Sequence, residues 1–222
     1  TGTLIDQRVL NIGMQSGELY SVTYDQMLGG VNYAAYGVDG RWEIVRFKDA
    51  VLQADGSYNV SGFIRGDRGT EWTTGLHAVN DYFILLDDSD LIFMGAAIEV
   101  IGADFDYRAV TSGETIDSAS DQGFTYQGVN LECLSPVNAS GLRDVSGNFS
   151  GSFTRRSRTS SSWWTTGVVA PVGEIVEAYE IDVMSGATVK RTISASTTAF
   201  SYAAADQTTD VGSAQSSITF RI

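Results

Sequence analysis

The sequence is short of several residue types, and each shortage excludes a class of chemistry. The 222 residues hold one cysteine and one histidine. Cys133 therefore has no intrachain disulfide partner, and no cysteine cluster can hold zinc. With His77 alone, no pair of histidines is available to ligate a metal. Two prolines and 18% charged residues are also low counts, and no apolar run approaches the roughly 18–20 residues that a membrane-crossing helix needs. Basic residues are scarce: 14 lysines and arginines against 27 acids leave a net charge of −13. That is the wrong sign for neutralising a phosphate backbone or an anionic lipid surface, so neither nucleic acid nor membrane insertion is expected.

What the chain does have is apolar and aromatic residues (43% and 11%), 24 glycines, and serine and threonine at about a fifth of all positions. This is ample for a core and argues against disorder. The charge is unevenly spread. Residues 1–135 carry 20 acids and 7 bases, whereas residues 136–222 carry 7 of each. The change falls at Ser135-Pro136, where proline restricts the backbone to extended shapes suited to a linker. Two consecutive β domains are expected, 1–135 and 136–222, in an all-β chain.

Hairpin signals dominate the first part. Val31–Val38 and Arg41–Phe47 flank Asp39-Gly40, a pair that favours a type I′ turn. In the second run Glu43, Val45 and Phe47 share one face and Trp42, Ile44 and Arg46 the other, so burial on both sides is expected. Asp55-Gly56 joins Ala50–Gln53 to a strand beginning at Tyr58, on which Tyr58, Val60, Gly62 and Ile64 share a face. Tyr82–Leu86 is a short apolar run consistent with a central strand. Leu91–Met94, Ala97–Ile101 and an alternating run through Phe105, Tyr107 and Ala109 follow. Tyr24–Leu28 alone suggests a helical turn. In the second part, Val145–Arg158, Ile175–Met184 (Ile175, Tyr179, Ile181 and Val183 inward), Ala187–Ile193, Phe200–Tyr202 and Ser217–Ile222 read as short strands of a β-sandwich. The last run stops in mid-strand, so the chain is expected to continue past Ile222 and the sandwich to lack its last strand.

Each candidate for chemistry has a plain structural reading beside it. His77 is a candidate general base by residue type, but no nucleophile elbow accompanies it, and a structural role is favoured. Cys133, alternating with Leu131, is expected to be a small buried hydrophobe. Asp87-Asp88-Ser89-Asp90 lacks the spacing of a calcium loop and reads as a solvated turn, and Asp104 and Asp106 share a strand face. No acid pair can be singled out for glycoside hydrolysis. Arg65-Gly66-Asp67 and the Asn-X-Ser triplets at Asn59, Asn138 and Asn148 are frequent by chance in such a composition. Trp163-Trp164, following Arg155, Arg156 and Arg158, could stack on a sugar or on arginine; a core plug flanked by edge arginines is the plainer reading.

The stretch from Gly62 to Trp72 (GFIRGDRGTEW), then His77, then Asp81–Asp87 (DYFILLD), preceded by the Ala54–Tyr58 hairpin, resembles a known family. It is similar to the C-terminal part of the large tail hub proteins of siphophages and gene transfer agents. The second part continues the likeness through Phe153–Arg158, Trp164 and Glu174–Ile181, resembling the fibronectin type III-like module of those hubs. Asp67 stands where a second arginine is common in that family.

The resemblance implies a non-enzymatic structural protein of the virion tail tip. It would be extracellular and trimeric about the tail axis, contacting other tail or baseplate proteins and a host surface glycan or envelope protein. No catalytic, metal or cofactor residues are carried over. The interaction or structural residues expected are Arg65, Arg68, Glu71, Trp72, Arg155, Arg156, Arg158, Trp163 and Trp164. Among these, Arg65 and Arg68 are expected to tie the Gly66–Asn80 loop to neighbouring carboxylates. A carbohydrate-binding module using Trp163 and Trp164 is the alternative reading.

Overall fold

Alternation of small apolar and polar residues, broken every few positions by glycine, makes strands too short to form one large sheet. The computed structural model describes residues 5–86, 94–158 and 170–222. Its elements are mostly strands in antiparallel sheets, so the chain is all-β.

In chain order come β1 (Leu10–Ile12), α1 (Tyr24–Leu28), β2 (Tyr33–Gly37), β3 (Glu43–Arg46), β4 (Asp49–Leu52), β5 (Tyr58–Ser61), β6 (Ile64–Asp67) and β7 (Tyr82–Leu85). They build a three-stranded sheet, β1-β5-β4, and a four-stranded one, β6-β3-β2-β7. The helix at Tyr24–Leu28 forms where expected because Thr23 and Gln26 complete a capping box. Glu43, Val45 and Phe47 are fully buried and Arg46 nearly so, which places β3 between two covered faces.

Gly62 separates the two sheets. At φ +71° it turns the chain between β5 and β6, so the face expected to run from Tyr58 to Ile64 divides. Tyr58, Val60 and Phe63 join the main core with Ile12, Leu19, Ala34, Val45 and Phe47. Ile64 packs instead with Met27, Leu28 and Ala170. Burying such side chains contributes roughly 1.5–3 kcal/mol each.

Three expectations for this part need correction. Tyr82–Leu86 is not central: β7 lies at a sheet edge, with Tyr82 and Ile84 exposed, so its apolar run reflects an uncovered face. Neither Asp-Gly pair makes a type I′ turn, which needs positive φ at both central residues; Gly40 and Gly56 have it, but Asp39 and Asp55 do not. At the second pair Gly56 N–H donates to Gln53 O and Gln53 N–H to Ser57 O, a three-residue loop in which glycine alone is left-handed. Ala97–Ile101 holds a 3₁₀ turn at Ile98–Val100 and no strand.

Next come β8 (Asp104–Tyr107) and β9 (Gln122–Thr125), which pair only with each other. Phe105 and Phe124 face each other on this ribbon and, like Ile98 and Ile116 nearby, are exposed.

The second part contains β10 (Val137–Arg143), β11 (Phe149–Thr154), β12 (Tyr179–Ser185), β13 (Thr188–Ala195), β14 (Ala199–Tyr202), α2 (Ala204–Val211) and β15 (Thr219–Arg221). Two three-stranded sheets result, β10-β11-β14 and β13-β12-β15. Aromatic side chains bridge them: Phe220 of β15 stacks on Phe149 of β11 and meets Phe200 of β14 edge-on, both at 5.0 Å between centroids. Gly151 makes room, since a Cβ there would overlap the Phe200 ring. Ile181 and Val183 point inward as expected. Ile175, however, is exposed ahead of the strand, because β12 begins only at Tyr179.

The helix α2 carries no apolar stripe and so escapes a periodicity reading. It is held by the fully buried Gln207. That amide donates to Gly147 O and Tyr202 O, and its carbonyl accepts from Arg143 and from Gln215 N–H. Gly212, left-handed at φ +89°, ends the helix. Among the described residues no helix is long and apolar enough to cross a membrane.

Candidate interaction site

The Gly66–Asn80 segment needs anchoring, because glycine-rich loops lose much conformational entropy on ordering. Its anchor is Glu43, the first residue of β3, whose carboxylate is wholly buried. One oxygen, Oε1, accepts from Arg65 Nε (2.8 Å), Gly66 N–H (2.8 Å) and Thr74 Oγ1 (3.0 Å). The other, Oε2, accepts from Arg65 Nη2 (2.6 Å) and His77 Nε2 (2.5 Å). Burial alone would raise this carboxyl; the Arg65 fork and the other donors more than reverse that, and its pKa lies below the usual value.

The ion chain extends both ways. Arg65 Nη1 reaches Asp6 Oδ2 (3.1 Å), and Arg8 forks onto Asp6. Asp6 is held by an antiparallel bridge to Phe63, and the Arg8 hydrogen bonds bring its carboxyl down to about 2. At the other end His77 stacks on Tyr36, with centroids 3.9 Å apart. Its Nδ1 lies 3.5 Å from Asp81 Oδ2, beyond hydrogen-bonding reach. Asp81 accepts both arms of Arg41 at 2.5 Å. His77 is thus held between the Glu43 carboxylate and the Tyr36 ring.

Across the loop a second set of charges gathers on Asp67. Arg46, buried, donates Nε to Asp67 Oδ2 (2.8 Å) and Nη1 to Leu28 O (2.9 Å). It thereby satisfies a carbonyl at the end of α1. Tyr33 lies 4.4 Å below the Arg46 guanidinium, and burial pushes its phenol up to about 12. Arg68, itself left-handed at φ +58°, donates its backbone N–H to Asp67 Oδ1 (2.8 Å), while its guanidinium pairs with no carboxylate among the described residues and lies 5.6 Å from the same ring. Among the described residues the Arg65 guanidinium engages two carboxylates, and Arg68 meets one through its backbone N–H alone.

Glu71 and Arg156 close the loop onto the second part of the chain. Their side chains form an ion pair. Glu71 Oε2 also accepts Ser135 N–H (2.9 Å), while Arg156 Nε donates to Ser135 O (2.8 Å). The Ser135-Pro136 junction is therefore pinned on both its polar backbone groups and does not behave as a free tether. Burial pushes Arg156 down to about 10, with Asp67 opposing, so it remains a cation at neutral pH. Ala170 packs beneath, against Met27 and Ile64.

The other expected residues that the structure describes lie at or near this seam or on the surface. Arg155 reaches Ala170 O (2.6 Å) and Glu177 (2.6 Å), and Arg158 forks onto Glu174. Trp72 is exposed on a 3₁₀ turn at Glu71–Thr73. Trp163, Trp164 and the Asp87–Asp90 cluster lie outside the described residues. Cys133 is exposed, contrary to expectation, because the chain after the 3₁₀ turn Val129–Leu131 is not a strand. Among the described residues no cluster of potential metal ligands occurs. Residues missed by sequence reasoning are Asp6, Glu43 and Asp81. Each is an acid on or beside a strand, and nothing local distinguishes it from the other acids.

Residues 1–84 match the family described as Rcc01698-like, C-terminal. No curated protein matches the chain. No solved structure does either.

Proposed function

We propose that the chain is a non-enzymatic structural module of a phage or phage-like tail-tip hub, acting in baseplate assembly and contact with the host envelope. The observation that carries this reading is the commitment to one another of the charges that anchor the loop. Glu43, Arg65, Asp81, Arg41, Glu71 and Arg156 are each held by another protein group. A general acid or base must be within reach of a substrate proton; buried and saturated carboxylates serve position instead.

Three further observations support it. The loop that carries the hub-like motif is the one clamped onto the second unit. The sheet order β10-β11-β14 over β13-β12-β15 suits a fibronectin type III-like unit without a last strand. The β8–β9 ribbon leaves Phe105 and Phe124 side by side and partly exposed, and contiguous exposed apolar surface is what assembly contacts use. Extracellular placement at the tail tip, trimeric association and contact with other tail proteins belong to the same proposal.

Immunogold labelling of intact particles from the source with antibody to this chain tests the reading. Gold is expected at one end of the tail. Labelling that is absent from particles, or confined to cell lysate, overturns it.

A further inference from the structure

A cavity of about 240 Å³ opens beside the buried ion chain, between β1, β2 and the His77 segment. Its apolar wall is Val9, Leu10, Val45 and Phe63; its polar end is formed by Arg8, Arg65, Tyr36 and His77. The hydrogen-bond inventory of that end is one-sided. The carboxylates behind it, Asp6 and Glu43, have every oxygen filled by protein donors. Donors remain. Arg8 uses Nε and Nη2 on Asp6, and its Nη1 bonds no described residue. Arg65 has five N–H groups, of which three bond described residues. The Tyr36 hydroxyl bonds no described residue and stands beside them.

We infer that this cavity binds a carboxylate attached to a compact apolar group, with the carboxylate on Arg8 and Arg65 and the apolar group against Val9 and Leu10, above Phe63 and Val45. A donor-rich, acceptor-poor end calls for a ligand that brings acceptors, and guanidinium groups suit a planar carboxylate. The volume lies below the roughly 300–1,000 Å³ of sites for drug-sized ligands, and fits a single amino-acid-sized group. Two sources share this chemistry: a free small acid, and the C-terminal residue of a partner polypeptide. Two cations balanced by two anions leave little net field, so recognition rests on hydrogen bonds and shape.

The test is a chemical-shift titration of the whole chain with N-acetylphenylalanine, its primary amide and benzoate, following Tyr36 and His77. N-acetylphenylalanine is expected to shift both residues, and its amide to bind about tenfold more weakly. Benzoate binding as tightly as N-acetylphenylalanine assigns the site to small acids; N-acetylphenylalanine alone assigns it to chain termini. Arg8→Ala, an exposed side chain whose loss leaves Asp6 paired to Arg65, is expected to weaken the acid about tenfold and leave the amide unchanged. Val9→Trp, which narrows the mouth, is expected to abolish both. No shift with either acid, equal binding of acid and amide, or an Arg8→Ala variant that binds as the parent overturns the inference.

Discussion

Glu71 and Arg156 form an ion pair across the Ser135-Pro136 junction, and each also holds one backbone group of Ser135. A change of charge balance and a proline mark this point in the sequence, yet the structure fastens it. Glu71→Gln keeps shape but leaves the largely buried Arg156 with a neutral partner. The expected loss is about 1–3 kcal/mol in urea unfolding, together with faster proteolysis near Ser135. A variant with parental stability and an unchanged digestion pattern would show that the clamp does not hold the junction.

Glu43 is the more critical anchor, because Arg65, His77, Thr74 and Gly66 all converge on it. Glu43→Gln places a neutral amide among these donors and turns its own N–H₂ toward one of them. Breaking a buried ion pair on one side costs about 3–5 kcal/mol, and a loss of that order is expected in chemical denaturation. Among the described residues Arg68→Ala removes only a ring contact to Tyr33, and it should cost under about 1 kcal/mol. Reversal of that ranking would place the loop's anchor on the wrong arginine.

The sequence showed where the strands and turns lie better than what the loop does. Tyr24–Leu28, the β2–β3 hairpin and the inward Ile181 and Val183 were legible because their patterns are local. The Asp-Gly pairs marked turns but misled on type, since glycine alone supplies the positive φ. The helix α2 was hidden, as Gln207 anchors it through groups far away in sequence. For the same reason Glu43 could not be told from 26 other acids: its role is made by Arg65, Thr74 and His77, which only folding brings together.

Acid should weaken the fold through Asp6. Its pKa falls from 3.8 to about 2, the Arg8 hydrogen bonds being the main cause. A depressed carboxyl contributes stability that is full above the unfolded pKa and is lost as pH falls through the folded value. The window is therefore about pH 4 down to pH 2. After screening through the exposed Arg8, the contribution is on the order of 1–2 kcal/mol. Urea midpoints of the parent should drop more steeply across that window than those of Asp6→Asn. Parallel pH profiles would remove Asp6 from the set of acid-sensitive groups.

Gly69 and Gly75 separate backbone strain from close packing. Both are left-handed, at φ +81° and +93°, but a Cβ at Gly75 meets open space whereas one at Gly69 would overlap the Val129 carbonyl. Gly75→Ala therefore carries only the conformational penalty, about 1–2 kcal/mol for an L-residue in that region. Gly69→Ala carries the same penalty and must also push the Val129–Leu131 turn away from the loop. It is expected to lower the thermal midpoint clearly more than Gly75→Ala, and to speed hydrogen exchange at Leu131, whose N–H bonds Gly128 O. Equal midpoints for the two variants would mean that the Val129 turn yields freely, and that the 94–135 segment is not held against the loop by this contact.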